Sequence, residues 1–322
     1  PPAPASVSTP PDAVGVIPYQ LDASASELKN SPKRKSNVAR ILVSLGGNAL
    51  GVDFDELVET VGVIAEPIVG LLRDGHEVVV CHGNGPQVGM IKTDIDLGKA
   101  GLHEGRVMPL SEAVAMSQSY IGYHLQNAIE NQLHKQGVEG KVVTTVVSRC
   151  LVDADDPGFA NPTKPIGAFF DKATADAMMA EGKTMIEDSG RGYREVVASP
   201  HPIEILEKDA VRELVSAGHV VIAGGGGGIP VVTKNGWTKA IDAVIDKDRT
   251  SILLAADTGC DALAILTGVE KVAINFNKPN QRDLDQITLA ECEQYIGEGQ
   301  FPAGSMLPKI EAAMDFVKSG TN

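Results

Sequence analysis

The residues in this chain best suited to chemistry are cations held beside carboxylates, prolines and glycines. Lys247 stands between Asp246 and Asp248. Two flanking carboxylates can fix an ammonium group in space and keep it charged, as electrostatic catalysis requires. Lys309 follows Pro308 in GSMLPKIEAAM, where the pattern turns helical. Ser305 is the candidate cap there, and proline suits a first helical turn. A lysine in that turn is mildly repelled by the helix dipole, a sign that a bound phosphate reverses by neutralising both. The alternative is an exposed lysine that tolerates the penalty. Lys164 lies in NPTKPIGAFF, stiffened by Pro162 and Pro165, and Arg191 and Arg194 lie in GRGYREVVASPHP. Each reads either as a surface cation or as one reaching a site from a lid. The histidines show no ligand-like clustering and are taken as structural.

Anions also need backbone donors. Three apolar runs end in glycines: ILVSL into Gly46-Gly47-Asn48, EVVVC into HGNGPQVG with Gly83, Asn84 and Gly85, and VVIA into the run Gly224 to Gly228. Glycine lets the backbone come close to an anion and turn N–H groups toward it. One such loop is explained by a tight turn, whereas three at equivalent strand ends point to a phosphate cradle, since ligands of open α/β sheets bind beyond the carboxyl ends of the strands. No G-x-x-x-x-G-K-[ST] occurs, and the Gly83 loop reads G-x-G-x-x-x-G rather than the dinucleotide G-x-G-x-x-G. The H-R-D and D-F-G elements of protein kinases are missing as well.

The elements that must position these residues follow from periodicity. Strands are expected at 41–45, 77–81, 141–148, 219–223 and 261–266, with a further short one at KVAIN. Helices are expected at 54–74, with a kink at Pro67, at 111–135, near 203–217, at VIDKDRTSILLAA, and from Pro308 onward. Residues 150–202 lose periodicity and gather Pro, Gly and Asp, which implies an inserted lid subdomain. Continuous apolar strands alternating with helices imply an α/β fold with a parallel sheet covered on both faces.

Residues 1–38 are Pro-, Ala- and Ser-rich and end in Lys33-Arg34-Lys35; a disordered extension is expected, with organellar targeting as the alternative. A net charge of −14 argues against a general nucleic-acid or anionic-membrane surface. It leaves room for a small anionic substrate, because a phosphate site needs only a few placed donors. Cys81, Cys150, Cys260 and Cys292 show no C-x-x-C spacing, so neither a zinc site nor a disulfide framework is expected, and a reducing compartment fits.

Taken together, SLGGNAL, HGNGPQVG, AMSQSYIGY, NPTKPIGAFF, GRGYREVVASPHP, AGGGGGIPV, AVIDKDRTSILLA and GEGQFPAGSMLPKIEAA resemble carbamate kinases of the amino acid kinase superfamily, in the family's order from about 41 to 316. The resemblance implies a three-layer α/β/α sandwich with a mainly parallel central sheet and a small protruding subdomain. It implies reversible phosphoryl transfer between ATP and carbamate, giving ADP and carbamoyl phosphate, with Mg²⁺ held by the ATP phosphates rather than by protein ligands. In the cell this implies ATP synthesis at the end of arginine breakdown, in a cytoplasmic homodimer. Lys164, Lys247, Lys309 and Asp248 become the catalytic set. Gly46, Gly47, Asn48, Gly83, Asn84, Gly85 and Ser199 become the acceptor side. Gly225, Gly226, Gly227, Asp246, Thr267 and Met306 become the nucleotide side. Other members of the superfamily carry lysine where this chain has Ser44, and Lys164 is expected to replace it. Tyr193, Glu195 and Ala168 depart from the family's Trp, Arg and Pro, and the family continues beyond the last helix where this sequence stops at Asn322. Two other readings compete: a kinase of a different carboxylate or of a nucleoside monophosphate, and a weakly active homologue that only binds nucleotide or a partner.

Overall fold

The computed structural model describes residues 38–51, 53–98, 108–188, 190–302 and 305–320, and of Asn48 and Ala49 the backbone alone. Residues 1–37 of the expected extension lie outside the described residues. In chain order the elements are β1 (Arg40–Leu45), α1 (Phe54–Arg73), β2 (Glu77–His82), α2 (Gly85–Gly98), α3 (Leu110–Lys135), β3 (Val143–Thr145) and β4 (Arg149–Val152). Then come β5 (Lys164–Phe170), α4 (Lys172–Ala180), β6 (Met185–Glu187), β7 (Tyr193–Val197), β8 (Pro202–Ile205), α5 (Lys208–Ser216) and β9 (Val220–Ile222). The rest comprises β10 (Ile229–Lys234), β11 (Trp237–Ala240), α6 (Lys247–Thr258), β12 (Ala262–Leu266), β13 (Val272–Ile274), β14 (Arg282–Leu284), α7 (Leu289–Gly297) and α8 (Leu307–Lys318).

The apolar runs assemble into one parallel sheet in the order β12-β1-β2-β9-β3. Alternate side chains leave opposite faces of each strand, and both faces are covered. On one side Val43, Leu45, Val78, Val80, Val220 and Ile222 bury against Leu57, Ile64 and Ile68 of α1 and Ile121, Leu125 and Ile129 of α3. On the other, Leu42, Val79, Cys81 and Val221 bury against Val211 of α5, Leu254 of α6 and Phe316 of α8. This is the α/β/α sandwich that the strand composition implies, since a strand buried on both faces can be apolar throughout. A second sheet, β11-β10-β4-β8, is mixed: β10 runs parallel to β4, and the outer pairs are antiparallel.

Within the aperiodic stretch, β5, β7 and β6 form an antiparallel sheet with α4 beside it. The subdomain is narrower than 150–202, because β4 and β8 at its borders belong to the second sheet. It rests on α2 through a close backbone approach. A β-carbon on Gly89 would fall 2.1 Å from Cα of Gly167, so no larger residue fits there without moving the subdomain. Three expectations need correction. The helix expected near 203–217 divides into β8 and α5, because Glu207 caps only the second part and Pro202 opens a strand. The strand expected at 141–148 is formed only at Val143–Thr145, where β9 offers partners. Finally, α8 has Met306 at its cap position with no side-chain bond, so Ser305 does not cap it.

Candidate active site

The three glycine-ended strands β1, β2 and β9 are neighbours in the sheet, so their loops lie side by side at its carboxyl edge. They form the floor of a cleft of about 1400 Å³ that also takes in the subdomain, the start of α6 and the start of α8. Gly46, Gly47, Gly83, Asn84, Gly85, Lys164, Ser199, Gly226, Asp246, Lys247, Asp248, Thr267, Met306 and Lys309 all line it. The side chain of Asn48 lies outside the described residues; its backbone belongs to the short 3₁₀ turn Gly47–Leu50. Gly225 and Gly227 do not line the cleft. They are buried beneath it, Gly225 against His82 and Gln118, and Gly227 against Ile245. The reason is local: the turn 225–227 folds back on the sheet, with the Gly225 carbonyl accepting from Gln118 and the Gly227 carbonyl from Thr250. Only Gly226 faces the cavity. Its φ of +64° and its approach to Asn84, 2.3 Å from where a β-carbon would stand, both require glycine.

Three ammonium groups from three elements meet here. Lys164, the first residue of β5, reaches Asp246 at 2.6 Å across 82 positions of sequence. Asp246 is also the N-cap of α6, its other oxygen accepting from the Asp248 amide at 2.9 Å. Lys247 is buried; it donates to Asp248 and, at 3.0 Å, to the Ser44 hydroxyl in β1. Lys309, in the first turn of α8, lies 3.3 Å from the second oxygen of Asp248. Asp248 thus bridges Lys247 and Lys309, and Asp246 anchors the subdomain lysine. Ser44, where the resemblance set a missing lysine, is the hydroxyl that receives the Lys247 ammonium.

The electrostatics follow from that geometry. Burial opposes ionisation of Asp246, but Lys164 and then Lys247 outweigh it and hold its carboxyl well below the usual range. Burial likewise opposes Asp248, and Lys247 and Lys309 prevail. For Lys247, burial is overcome by Asp248 and Asp246, and its ammonium is held more firmly than that of a free lysine. Lys309 differs. Burial and repulsion by Lys247 exceed the attraction of Asp248, and its pKa falls below the ordinary lysine value of 10.5. Such a site holds positive charge in low dielectric, fixed before a ligand arrives, which is what stabilising a transferring phosphoryl group demands.

The fold brings here some residues that the sequence reading passed over, and gives others that it named a defined setting. His82 ends β2 directly below the loops, fully buried; its Nδ1 donates to the Gly83 carbonyl at 3.0 Å, and burial pushes its pKa down to about 4. Asn84 spends one amide N–H on Ser117 of α3 at 2.8 Å, so its side chain braces the loop as well as facing the cleft. Phe276, Ile296 and Pro302 add apolar wall near Met306. A single Phe has no periodicity to mark it; its neighbours Asn275 and Asn277, both at positive φ, were the available turn signal. Arg194 is buried on the inner face of the subdomain, whereas Arg191 at the rim pairs with Asp188. Among the described residues no group of His, Cys, Asp and Glu side chains could hold a metal ion.

Comparison with known proteins agrees with this geometry. The model of the amino acid kinase family matches residues 39–322. The chain is 50% identical to the carbamate kinase-like protein YqeA of Escherichia coli over 87% of its length and 90% of that protein. It is 49% identical to carbamate kinase of Clostridium perfringens over 87% and 91%. The structure of carbamate kinase from Giardia lamblia bound to AMP-PNP superposes with a TM-score of 0.77 at 40% identity, covering 88% of this chain and 91% of that one. The same enzyme bound to citric acid gives 0.81 at 38% identity, with the same coverage. By sequence, fold and the lysines that its cleft brings together, the chain belongs to the amino acid kinase family and, within it, to the carbamate kinases.

Proposed function

We propose that the chain catalyses phosphoryl transfer between ATP and carbamate, and that it runs toward ATP from ADP and carbamoyl phosphate. The convergence of Lys164, Lys247 and Lys309 on two carboxylates above three glycine loops carries the reading. Carbamate is already an oxygen anion, so no general base is needed; positioning and charge neutralisation are sufficient catalysis. One carbamate oxygen attacks the γ-phosphorus in line, the bond to the β-γ bridging oxygen breaks, and ADP leaves with that electron pair. Lys247 and Lys309 face the phosphates from the helix starts, while Lys164 closes over the transferred group from the subdomain. Asp248 holds the first two apart at a fixed spacing. The loops at Gly46–Gly47 and Gly83–Gly85 offer N–H donors to the acceptor, and Met306 and Thr267 border the nucleotide. A relative of 40% identity has been captured with the ATP analogue AMP-PNP, which supports the nucleotide assignment.

Mg²⁺ would arrive with the nucleotide. Asp246 and Asp248 are already engaged by lysines, so the donors left for the ion are phosphate oxygens and water, which suits its preference for few protein ligands. The direction follows from the chemistry: carbamoyl phosphate is a mixed anhydride, and carbamate loses carbon dioxide readily. In a cell the carbamoyl phosphate would come from arginine breakdown. A homodimer fits the surface, because Phe54 and Val58 of α1 and Met116 and Tyr123 of α3 are exposed around a ring cluster centred on His124.

A coupled assay of ATP formation from ADP and carbamoyl phosphate tests the proposal. Turnover is expected; a folded, ADP-binding protein without turnover would sink it.

A further inference from the structure

We propose that Arg194 binds the carboxylate of the acceptor, holding the oxygen that does not attack while the lysines take the phosphoryl group. The assignment rests on the carbamate reading above and adds to it the residue that recognises the acceptor.

Four observations carry it. First, strand alternation places Arg194 and Val196 on the inward face of β7, and Arg194 is only 4% exposed. Burying a guanidinium is costly unless its donors are matched. Second, they are matched only in part. Its Nε is buried with no hydrogen-bond partner among the described residues. Its carboxylate contact, to Asp188, is long at 3.4 Å, and Asp188 also accepts from Arg191 at 3.1 Å. By contrast, Lys164 meets Asp246 at 2.6 Å. Third, the unmatched group is aimed at the acceptor end of the cleft. Arg194 lines the cavity, and one of its terminal nitrogens lies 3.7 Å from where a β-carbon on Gly85 would stand. Fourth, its plane is held in place. The Arg194 guanidinium lies 5.1 Å over the Phe169 ring, which orders the side chain without consuming a donor. Burial also pulls its pKa down, against Asp188, as expected for a cation short of anions.

A guanidinium presents parallel N–H groups that fit a planar carboxylate in two places at once, which an ammonium does not. The site therefore divides its cations by shape: compact ammonium groups for the tetrahedral phosphoryl oxygens, and a planar fork for the planar acid. In the ATP-forming direction the same fork holds the carbonyl oxygen of carbamoyl phosphate.

The test compares wild type, Arg194→Lys and Arg194→Gln in the ATP-forming assay, with KM for carbamoyl phosphate and for ADP measured separately and folding checked by thermal unfolding. Both variants should raise KM for carbamoyl phosphate by about 10- to 100-fold, the range of a lost charge-assisted hydrogen bond, while KM for ADP stays within about 2-fold, the spread of an uninvolved site. Free guanidinium ion should partly restore the Gln variant. An unmoved KM for carbamoyl phosphate, or an equal rise in both KM values, would overturn the assignment and leave the acceptor reading intact. Wild-type KM in the Lys variant would reduce Arg194 to a point charge and overturn the fork. Unfolding of both variants would make Arg194 structural and overturn it as well. Absence of wild-type turnover removes the carbamate reading, and this assignment with it.

Discussion

At the scale of single residues the site is a balance of buried charges, and Asp248 is its pivot. It separates Lys247 from Lys309, two ammonium groups that repel each other in a low-dielectric cleft. Asp248→Asn should therefore cost about 3–5 kcal/mol of stability, the usual penalty for stranding a buried charge, read as a fall in Tm alongside loss of kcat. The pH dependence has a definite sign. Asp246 and Asp248 have depressed folded pKa values, so their contribution is fully present above the unfolded value of about 3.9 and is lost as pH falls through the folded values. The acid limb of a Tm–pH curve should thus become shallower in Asp248→Asn. Lys309 acts at the other end. With its pKa below 10.5, kcat/KM should decline on the alkaline side before an ordinary lysine would titrate, and Lys309→Arg should abolish that decline while keeping some activity. Lys309→Ala should lower kcat by about 10²–10³, the scale of losing one preorganised charge, with Tm little changed. A normal rate in that variant would remove Lys309 from the mechanism.

Elements place those residues through backbone contacts that tolerate no extra atoms. The subdomain delivers Lys164 only because β5 rests on α2, and that seat is the Gly89–Gly167 approach. Gly89→Ala would lift the subdomain and break the 2.6 Å contact between Lys164 and Asp246. The expected result is a kcat reduced by at least about 10-fold, since an ångström of misplacement is enough for that, with the main core still folded by circular dichroism. Unchanged kcat would mean that the subdomain does not depend on this seat. Gly226 has the complementary role of letting Asn84 close against the third loop. The Asn84–Ser117 bond then ties the acceptor loop to α3, the same helix whose far face carries the exposed aromatic cluster.

For the whole molecule that cluster matters most. Met116, Tyr120 and Tyr123 recur at helical spacing on α3, and the rings of Tyr120 and Tyr123 meet Phe54 of α1 through His124. An apolar surface of this kind marks an interaction site more often than chance. The proposed homodimer should fall to a monomer in light scattering on Tyr123→Asp, at a position 60% exposed in the single chain and outside the core. A variant with the wild-type mass would mean that the α1–α3 face is not a dimer interface. The negative net charge of −14 coexists with three ammonium groups gathered in the cleft, because lysines brought together at the starts of β5, α6 and α8 set the local field whatever the total.

Much of this architecture could be read before folding. The apolar runs β1, β2, β9 and β12 and the helices α1, α3, α6 and α8 declare themselves by period, because burial on two faces or one stripe imposes a period on sequence. The glycine ends of three strands likewise marked the loops at the floor of the cleft, since close backbone approach leaves a compositional trace. Lys247 and Lys309 were legible beside their carboxylate and proline. What only the tertiary structure decided is pairing across distance. Lys164 meets Asp246 over 82 residues and Ser44 meets Lys247 over 203, and no local pattern encodes such contacts. It also decided which glycines face the cleft: Gly226 does, whereas Gly225 and Gly227 turn into the core. Arg194 shows the limit most clearly. In the sequence it is one of two nearby arginines, and only strand alternation, burial and an unmatched Nε separate it from its exposed neighbour.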